Sequence, residues 1–168
     1  MDTKRIATLG VLISMALMLS YFERMLPAIG PGIKLGLANV VVVIALYYLD
    51  IKAAFIISVV RVIVAGVLFG GISSIMYALS GALLAFFGML TIKQFKCFSI
   101  IGVSVMGSTC HVTGQIIVAI YVVENIKLIT YLPILLLSAI VTGISIGIVS
   151  YYTLLNMSYI NKKDMGCM

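Results

Sequence analysis

The chain has 168 residues, of which 63% are hydrophobic and only 10% are charged, and its mean hydropathy is +1.26. Soluble domains carry about 45–50% apolar and about 25% charged residues, so this composition excludes an ordinary soluble domain and a disordered chain. The net charge of +6 comes from eleven basic residues spread along the chain, which form no basic face of the kind that binds nucleic acid. The sequence is typical of an integral membrane protein.

Six apolar runs predict the spans, and a spanning helix needs about 20 such residues. The runs cover residues 6–26, 35–49, 53–69, 72–92, 98–123 and 128–155. The first run follows Lys4 and Arg5 as in a secretory signal, but it is long for one and no small-residue cleavage site follows, so we interpret it as a span. Because lipid cannot satisfy open backbone groups, every span must be helical. We predict an all-α integral membrane protein in which residues 1–168 form a single six-helix transmembrane bundle.

The loops predict the orientation. Seven basic residues fall on the side of the termini, namely Lys4, Arg5, Lys52, Lys93, Lys96, Lys162 and Lys163. Three fall on the other side, namely Arg24, Lys34 and Lys127. The positive-inside rule then places both termini in the cytoplasm, with the chain in a bacterial cytoplasmic membrane. Cys97 would face the cytoplasm too.

Motifs for catalysis are absent from the sequence. It has no Walker A loop, no H-E-x-x-H, no G-x-S-x-G and no aspartate-rich motif for a magnesium–diphosphate complex. Its three cysteines include no C-x-x-C pair that would suggest zinc. The five acids lie at the termini or in predicted loops, namely Asp2, Glu23, Asp50, Glu124 and Asp164. We therefore predict no catalytic residue, no metal and no cofactor.

Arg61 stands near the middle of the third span, where a permanent charge is costly and is a functional hypothesis by default. Three interpretations remain open from the residues alone. Arg61 bonds helix carbonyls, or it reaches Glu23 or Glu124, or it faces a water-filled cavity in which an anionic ligand is its counter-ion.

The fifth span carries a polar stripe. Ser104, Ser108, His111 and Gln115 are spaced by 4, 3 and 4 residues, which places them on one helical face. Bonds between helices would explain such residues, but the stripe favours a binding cavity.

The first outer loop, residues 27–39, is rich in proline and glycine and also carries Lys34 and Asn39. By itself this loop is explained by a turn. With the predicted orientation, however, its polar groups, Arg61 and the stripe converge on the outer half of the bundle. The expected feature is an outward-facing pocket, with two cations and no anion, for a small anionic or strongly hydrogen-bonding solute. Its predicted ligand-binding residues are Lys34, Asn39, Arg61, Ser108, His111 and Gln115.

Small residues at four-residue spacing allow close helix packing in lipid. Such stripes are Ser74, Ala78 and Ala82 in the fourth span and Ala139, Gly143 and Gly147 in the sixth. We predict that they pack inside the bundle, although docking on another membrane subunit is the alternative. Gly10 and Ser14 in the first span raise the same question.

Four stretches together resemble one bacterial membrane family. They are Gly32-Ile-Lys-Leu-Gly-Leu-Ala-Asn39, Arg61 within Ser58-Val-Val-Arg-Val, Leu68-Phe-Gly-Gly71, and Cys110-His-Val-Thr-Gly-Gln115. The family carries two names. One is heptaprenyl diphosphate synthase component I, and the other is the Gx transporter family, which is similar in architecture to the substrate-binding S components of energy-coupling factor (ECF) transporters.

The two names imply different functions. An S-component-like protein would bind a vitamin-like solute from outside and dock on a transmembrane coupling subunit with two ATPases. Docking would use small residues of the first helix, where this chain offers Gly10 and Ser14 instead of an Ala-x-x-x-Ala pair. The synthase name implies an accessory subunit, because prenyl synthases hold magnesium with paired aspartates. We expect the substrate-binding subunit of an ECF-like importer. The alternatives are a non-catalytic component of heptaprenyl diphosphate or quinone biosynthesis and a purely structural membrane subunit.

Overall fold

A computed structural model describes residues 3–25, 36–95 and 97–157. Within these ranges the chain forms six α-helices and one 3₁₀-helix. The α-helices are α1 (Thr3–Met25), α2 (Asn39–Tyr48), α3 (Ile51–Phe69), α4 (Gly71–Gln94), α5 (Ile100–Val123) and α6 (Leu132–Asn156), and the 3₁₀-helix η1 (Ile126–Tyr131) precedes α6. The predicted all-α, six-helix fold is confirmed at this level.

Five of the helical segments are long and apolar enough to cross a membrane, and α2 is the exception. Its ten residues reach only about 15 Å at 1.5 Å per residue, about half of a hydrocarbon core of about 30 Å. Within the predicted span 35–49, the described helix is therefore too short to cross the bilayer by itself. The helix begins at Asn39 because Gly36, with φ of +79°, and the turn after it precede the first helical residue.

The short helix α2 lies in the centre of the bundle. Six consecutive residues, Val41–Leu46, are buried, and α2 packs against α1, α3, α5 and α6. A helix that is apolar all round must be covered on all sides. For α2, with its run of valines, only the centre of the bundle provides such cover. Because α2 is short, it occupies about half of the length of the bundle there.

Glycines bring α4, α5 and α6 close together. A Cβ added at Gly114 would lie 2.7 Å from the carbonyl oxygen of Ser80, and one at Gly143 would lie 2.7 Å from Cα of Val105. Ala139, Gly143 and Gly147 are all buried. The stripe on α6 therefore packs inside the bundle, as predicted.

Two ends of the bundle are distinguished by their charged contacts. At one end, which we call the Asp50 end, Arg5 pairs with Asp50, and Nζ of Lys93 donates to the carbonyl of Leu46 at 2.7 Å. At the other, the Glu124 end, Nη2 of Arg24 lies 3.4 Å from Oγ of Ser74. The start of α1, the α2–α3 turn and the end of α4 thus share one end of the bundle.

The first helix is peripheral. Leu9, Leu12 and Ala16 are its buried apolar residues, and among the described residues α1 packs only against α2 and α3. Most of its surface is exposed, including large side chains such as Met18 and Phe22. In a membrane this surface faces lipid or another membrane protein.

A candidate functional site at the start of the central helix

The candidate site lies at the N-terminus of α2, inside the bundle. The first turn is closed by the backbone N–H of Asn39, which donates to the carbonyl of Gly36 at 2.8 Å. Gly36, Ala38 and Asn39 are buried. Non-helical backbone at membrane depth is tolerated only where protein covers it or where it lines a water-filled cavity. The positive end of the α2 dipole therefore lies inside the bundle.

Arg61 reaches this helix terminus from α3. Arg61 lies ten residues after the start of α3, about 15 Å along that helix, which is the depth at which α2 begins. Its Nη2 donates to Oδ1 of Asn39 at 2.6 Å, and both side chains are buried. This bond fixes the orientation of the Asn39 amide, so that Nδ2 points away from the guanidinium.

Glu23 supplies the negative charge that the sequence analysis placed in a loop. It belongs to α1, is only 6% exposed, and accepts a hydrogen bond from the backbone N–H of Gly36. Its carboxylate also attracts the guanidinium of Arg61. The prediction of a pocket without an anion is therefore wrong. The signal available in the sequence was that Ser20 and Glu23 share one face near the end of the first apolar run.

A small cavity separates these groups. It is lined by Ser20 and Glu23 of α1, by Arg61, Val62, Ala65 and Gly66 of α3, by Ser74 and Ala78 of α4, and by His111 of α5. Its volume is about 20 Å³, room for about one or two water molecules. Pockets for small organic ligands measure about 300–1,000 Å³. A vitamin-sized ligand would therefore require the surrounding helices to move apart.

The four polar residues of the stripe on α5 have different surroundings. His111 faces the cavity, whereas Oγ of Ser104 donates to the carbonyl of Gly143 in α6 at 2.8 Å. Ser108 is fully buried against the same glycine, since a Cβ added at Gly143 would lie 3.2 Å from its Oγ. Gln115 is buried beside Gly81 of α4. Of the stripe, only His111 lines the cavity.

The remaining predicted residues fall elsewhere. Lys34 lies outside the described residues. Gly10 and Ser14 lie on the exposed face of α1, where Oγ of Ser14 donates to the carbonyl of Gly10 at 2.9 Å. In the described part of the chain, no heavy atom outside the local backbone comes within 4 Å of the position a Cβ would take at Gly10. Both residues are therefore accessible on the surface.

Two buried donors at the site have no hydrogen-bond acceptor among the described residues. They are Nε of Arg61 and Nδ2 of Asn39. Buried polar groups in native proteins are paired with protein, water or ligand. Within the described ranges the site is thus short of acceptors, and water or an acceptor-rich ligand would satisfy it. The described part of the chain has no cluster of three His, Cys, Asp or Glu residues that could hold a metal.

A family model for heptaprenyl diphosphate synthase component I matches residues 12–153. The chain belongs to this family. The matched range begins within α1 and ends within α6, so it covers Glu23, Asn39, Arg61 and His111. No curated protein and no solved structure matches the chain.

The match confirms the family that the four sequence stretches indicated. In this heptaprenyl diphosphate synthase component I protein, Asn39, Arg61 and His111 come from three of those stretches and gather at one place in the bundle. The fourth stretch, Leu68-Phe-Gly-Gly71, is the junction of α3 and α4, where Gly71 adopts φ of +73°. A residue other than glycine is strained at that angle.

Proposed function

We propose that this chain is a non-catalytic membrane component of heptaprenyl diphosphate synthesis. The observation that carries the proposal is the family match over residues 12–153 of a chain with five helices suited to span a membrane. A multi-pass protein places its partners at the bilayer surface, where a long prenyl product resides. The proposed location is the bacterial cytoplasmic membrane, with both termini in the cytoplasm.

The acids of the chain argue against catalysis. Condensing prenyl diphosphates requires magnesium held by carboxylates close together, and no two of the five acids are neighbours in the sequence. Glu23 is engaged by the N–H of Gly36, and Asp50 pairs with Arg5 at the opposite end of the bundle. The synthase chemistry would therefore belong to a partner.

The Asp50 end is the surface we assign to that partner. It exposes Arg5 and Lys52, and Lys93 lies at the same end, over the ring of Tyr47 at 4.4 Å. The charge distribution predicts that this end faces the cytoplasm, where a soluble synthase and its diphosphate substrates are found. Cationic side chains at the membrane surface would attract both of them.

The cavity supports a second candidate function, the substrate-binding subunit of an ECF-like importer. Arg61, Asn39 and His111 lie near the middle of the bundle, and the cavity that Arg61 and His111 line also includes Glu23 and Ser74, which lie towards the Glu124 end, the end predicted to face outside. A helix terminus buried at membrane depth with unfilled donors is a feature of solute sites in transporters. The importer requires a coupling subunit and ATPases as partners.

Co-purification from the native host separates the two functions. The full chain, tagged at its C-terminus, is solubilised in mild detergent, and the bound proteins are identified by mass spectrometry. The proposed function predicts a soluble prenyl diphosphate synthase, and the variant Lys52→Glu should recover less of it. A matched control is Lys127→Glu, which places the same change at the other end. Recovery of ATPases and a membrane coupling protein without a synthase would contradict the proposal and support the importer.

Arg61 provides a second comparison. Replacing Arg61 with Gln keeps hydrogen-bond donors but removes the charge, so an importer would lose solute binding while its insertion in the membrane is preserved. The variant leaves Glu23 without its counter-charge, so the amount of folded protein is first measured by size-exclusion chromatography. A component that works only by holding a synthase at the Asp50 end would recover as much synthase per folded chain as the wild type does. The same two preparations therefore report on both functions.

A further inference from the structure

A carboxylate of the chain itself occupies the buried N-terminus of α2. Glu23 accepts a hydrogen bond from the backbone N–H of Gly36 and attracts the guanidinium of Arg61. Backbone N–H groups and the positive end of the helix dipole make a helix N-terminus a binding place for anions. Glu23 therefore takes the position that an anion bound to this helix terminus would have, although it belongs to another helix, α1.

The carboxylate leaves part of the site unsatisfied. Nε of Arg61 and Nδ2 of Asn39 are buried donors without an acceptor in the described ranges, and the two side chains are only 4% and 2% exposed. Arg61 lines the cavity. Nδ2 of Asn39 lies beside Gly36, since a Cβ added there would lie 3.0 Å from Nδ2 and 3.3 Å from Cδ2 of His111. An anion with more oxygens than a carboxylate would find unused donors in this place.

The size of the site limits that anion. The cavity beside Glu23 and Arg61 has a volume of about 20 Å³, room for about one or two waters. When the carboxylate of Glu23 leaves, its three heavy atoms add to this space, which then holds about four or five heavy atoms. Phosphate has five, with its oxygens in a tetrahedron. Diphosphate has nine, so the prenyl diphosphates of the proposed function are too large for the site.

Glu23 can leave without unfolding the bundle. It lies in the last described turn of α1, the peripheral helix, and the two residues that follow it, Arg24 and Met25, are exposed. Rotation of the Glu23 side chain, with a small shift of this turn, would take the carboxylate to the exposed surface at the Glu124 end. Glu23 makes further interactions besides the bond to Gly36. The incoming anion has to replace all of them, so the wild type should bind it weakly.

We infer that the N-terminus of α2 is a binding site for a free tetrahedral oxyanion such as phosphate, which Glu23 fills in the absence of the anion and vacates when the anion binds. The oxyanion accepts from the N–H of Gly36 and from Arg61, and it lies beside Nδ2 of Asn39. Glu23 is a built-in competitor that lowers the affinity of the wild type. This ligand is independent of the proposed function, because free phosphate is neither a substrate nor a product of prenyl elongation.

Removal of the competitor tests this site. Phosphate binding to the full-length chain in lipid nanodiscs is measured by isothermal titration calorimetry at constant ionic strength. Glu23→Gln removes the charge, whereas Glu23→Asp retracts the carboxylate by one methylene and keeps a charge near Arg61. The matched control is Glu124→Gln, which makes the same change at an exposed acid. A fourth protein combines Glu23→Gln with Arg61→Gln and so carries neither of the two buried charges.

The affinities of these proteins for phosphate decide between the outcomes. Glu23→Gln and Glu23→Asp should each bind phosphate at least tenfold more tightly than the wild type, and Glu124→Gln should match the wild type. The double variant should bind at least tenfold more weakly than Glu23→Gln, because it lacks the cation. Equal affinity of the wild type and both Glu23 variants would overturn the inference. Equal affinity of Glu23→Gln and the double variant, or no binding to either Glu23 variant, would overturn it too.

Thermal unfolding gives a second readout, which applies even where Glu23→Gln folds poorly. That variant leaves Arg61 without its counter-charge, so phosphate should raise its unfolding temperature more than it raises that of the wild type or of Glu124→Gln. Equal shifts in all three proteins would show a general salt effect and contradict the site.

Diphosphate tests the size of the site. It should bind to Glu23→Gln at least tenfold more weakly than phosphate does, and equal binding would contradict the inference. Failure of these measurements leaves the proposed function untouched, because co-purification of a synthase at the Asp50 end does not depend on Glu23.

Discussion

Arg61 and Asn39 are joined by a hydrogen bond of 2.6 Å between Nη2 and Oδ1, which links the middle of α3 to the first residue of α2. Both side chains are buried, and the pair lies at the N-terminus of α2, about halfway along the bundle. A permanent cation at this depth is tolerated because Asn39 accepts from it and Glu23 balances its charge.

The pairing of Arg61 with Glu23 predicts an energetic coupling. Arg61→Met should lower the free energy of unfolding by about 3–5 kcal/mol, because it leaves a buried carboxylate without its counter-charge. Adding Glu23→Gln should restore much of that loss, since the remaining groups are neutral. The measurement is a double-mutant cycle of denaturant unfolding in mixed micelles.

Arg24, a nearby exposed arginine, provides the control for the Arg61 and Glu23 variants. Arg24→Gln should change the free energy of unfolding by less than about 1 kcal/mol, because Arg24 is exposed and its contact with Ser74 is long. Additive effects of Arg61→Met and Glu23→Gln would show that the two charges do not act together, contrary to the arrangement described.

Two glycines test the packing between helices. Gly81→Ala should destabilise the bundle by about 1–3 kcal/mol, because its Cβ would lie 2.8 Å from the backbone oxygen of His111, a group that cannot rotate away. Gly10→Ala should instead stabilise it by up to about 1 kcal/mol, since a helical glycine is replaced where space is open. Thermal unfolding of both variants would decide this, and equal effects would contradict the α4–α5 contact.

The sequence predicted the six helices well because apolar runs bounded by charges are a direct consequence of the bilayer. It predicted the start of α2 poorly. The run from Leu35 to Leu49 is apolar almost throughout, and only the backbone conformation at Gly36 determines that the helix begins at Asn39. Arg61, Asn39 and His111 were found as polar residues within apolar runs. Glu23 was named only as one possible partner of Arg61 and not as a site residue. A residue near the end of an apolar run can face either water or the interior, and helix packing alone decides between them.

Asp50 predicts a pH dependence of stability. It begins α3 as the N-cap, and the backbone N–H of Ala53 together with Arg5 holds the pKa of Asp50 below its ordinary value. A lowered folded-state pKa adds stability above the unfolded-state pKa of about 4, and this contribution is lost as the pH falls through the folded-state pKa. The stability advantage of the wild type over Asp50→Asn should therefore be present at pH 7 and shrink below about pH 4.

The cap itself can be separated from the charge. Asn is also a good N-cap, whereas Asp50→Ala removes the bond to Ala53 and should cost about 1 kcal/mol at neutral pH. Unfolding titrations of the three proteins at several pH values make the comparison. An advantage of the wild type over Asp50→Asn that stays constant down to pH 3 would show that the carboxylate gains nothing from folding.

Cys97 predicts the orientation of the bundle. It is exposed and lies at the end of α4, at the Asp50 end. In a chain carrying Cys110→Ala and Cys167→Ala, an impermeant thiol reagent should label Cys97 in inverted vesicles and not in intact cells. Labelling in intact cells would reverse the assignment of the Asp50 end to the cytoplasm.

We propose that the chain supports heptaprenyl diphosphate synthesis without catalysing it. The most direct measurement is the formation of heptaprenyl diphosphate from farnesyl diphosphate and labelled isopentenyl diphosphate, in native-host extracts that contain both membranes and cytosol, with and without the chain. Product formation should fall when the chain is deleted, return when purified chain is added back, and be undetectable with the purified chain alone. Unchanged synthesis in the deletion strain, or elongation by the purified chain alone, would contradict it.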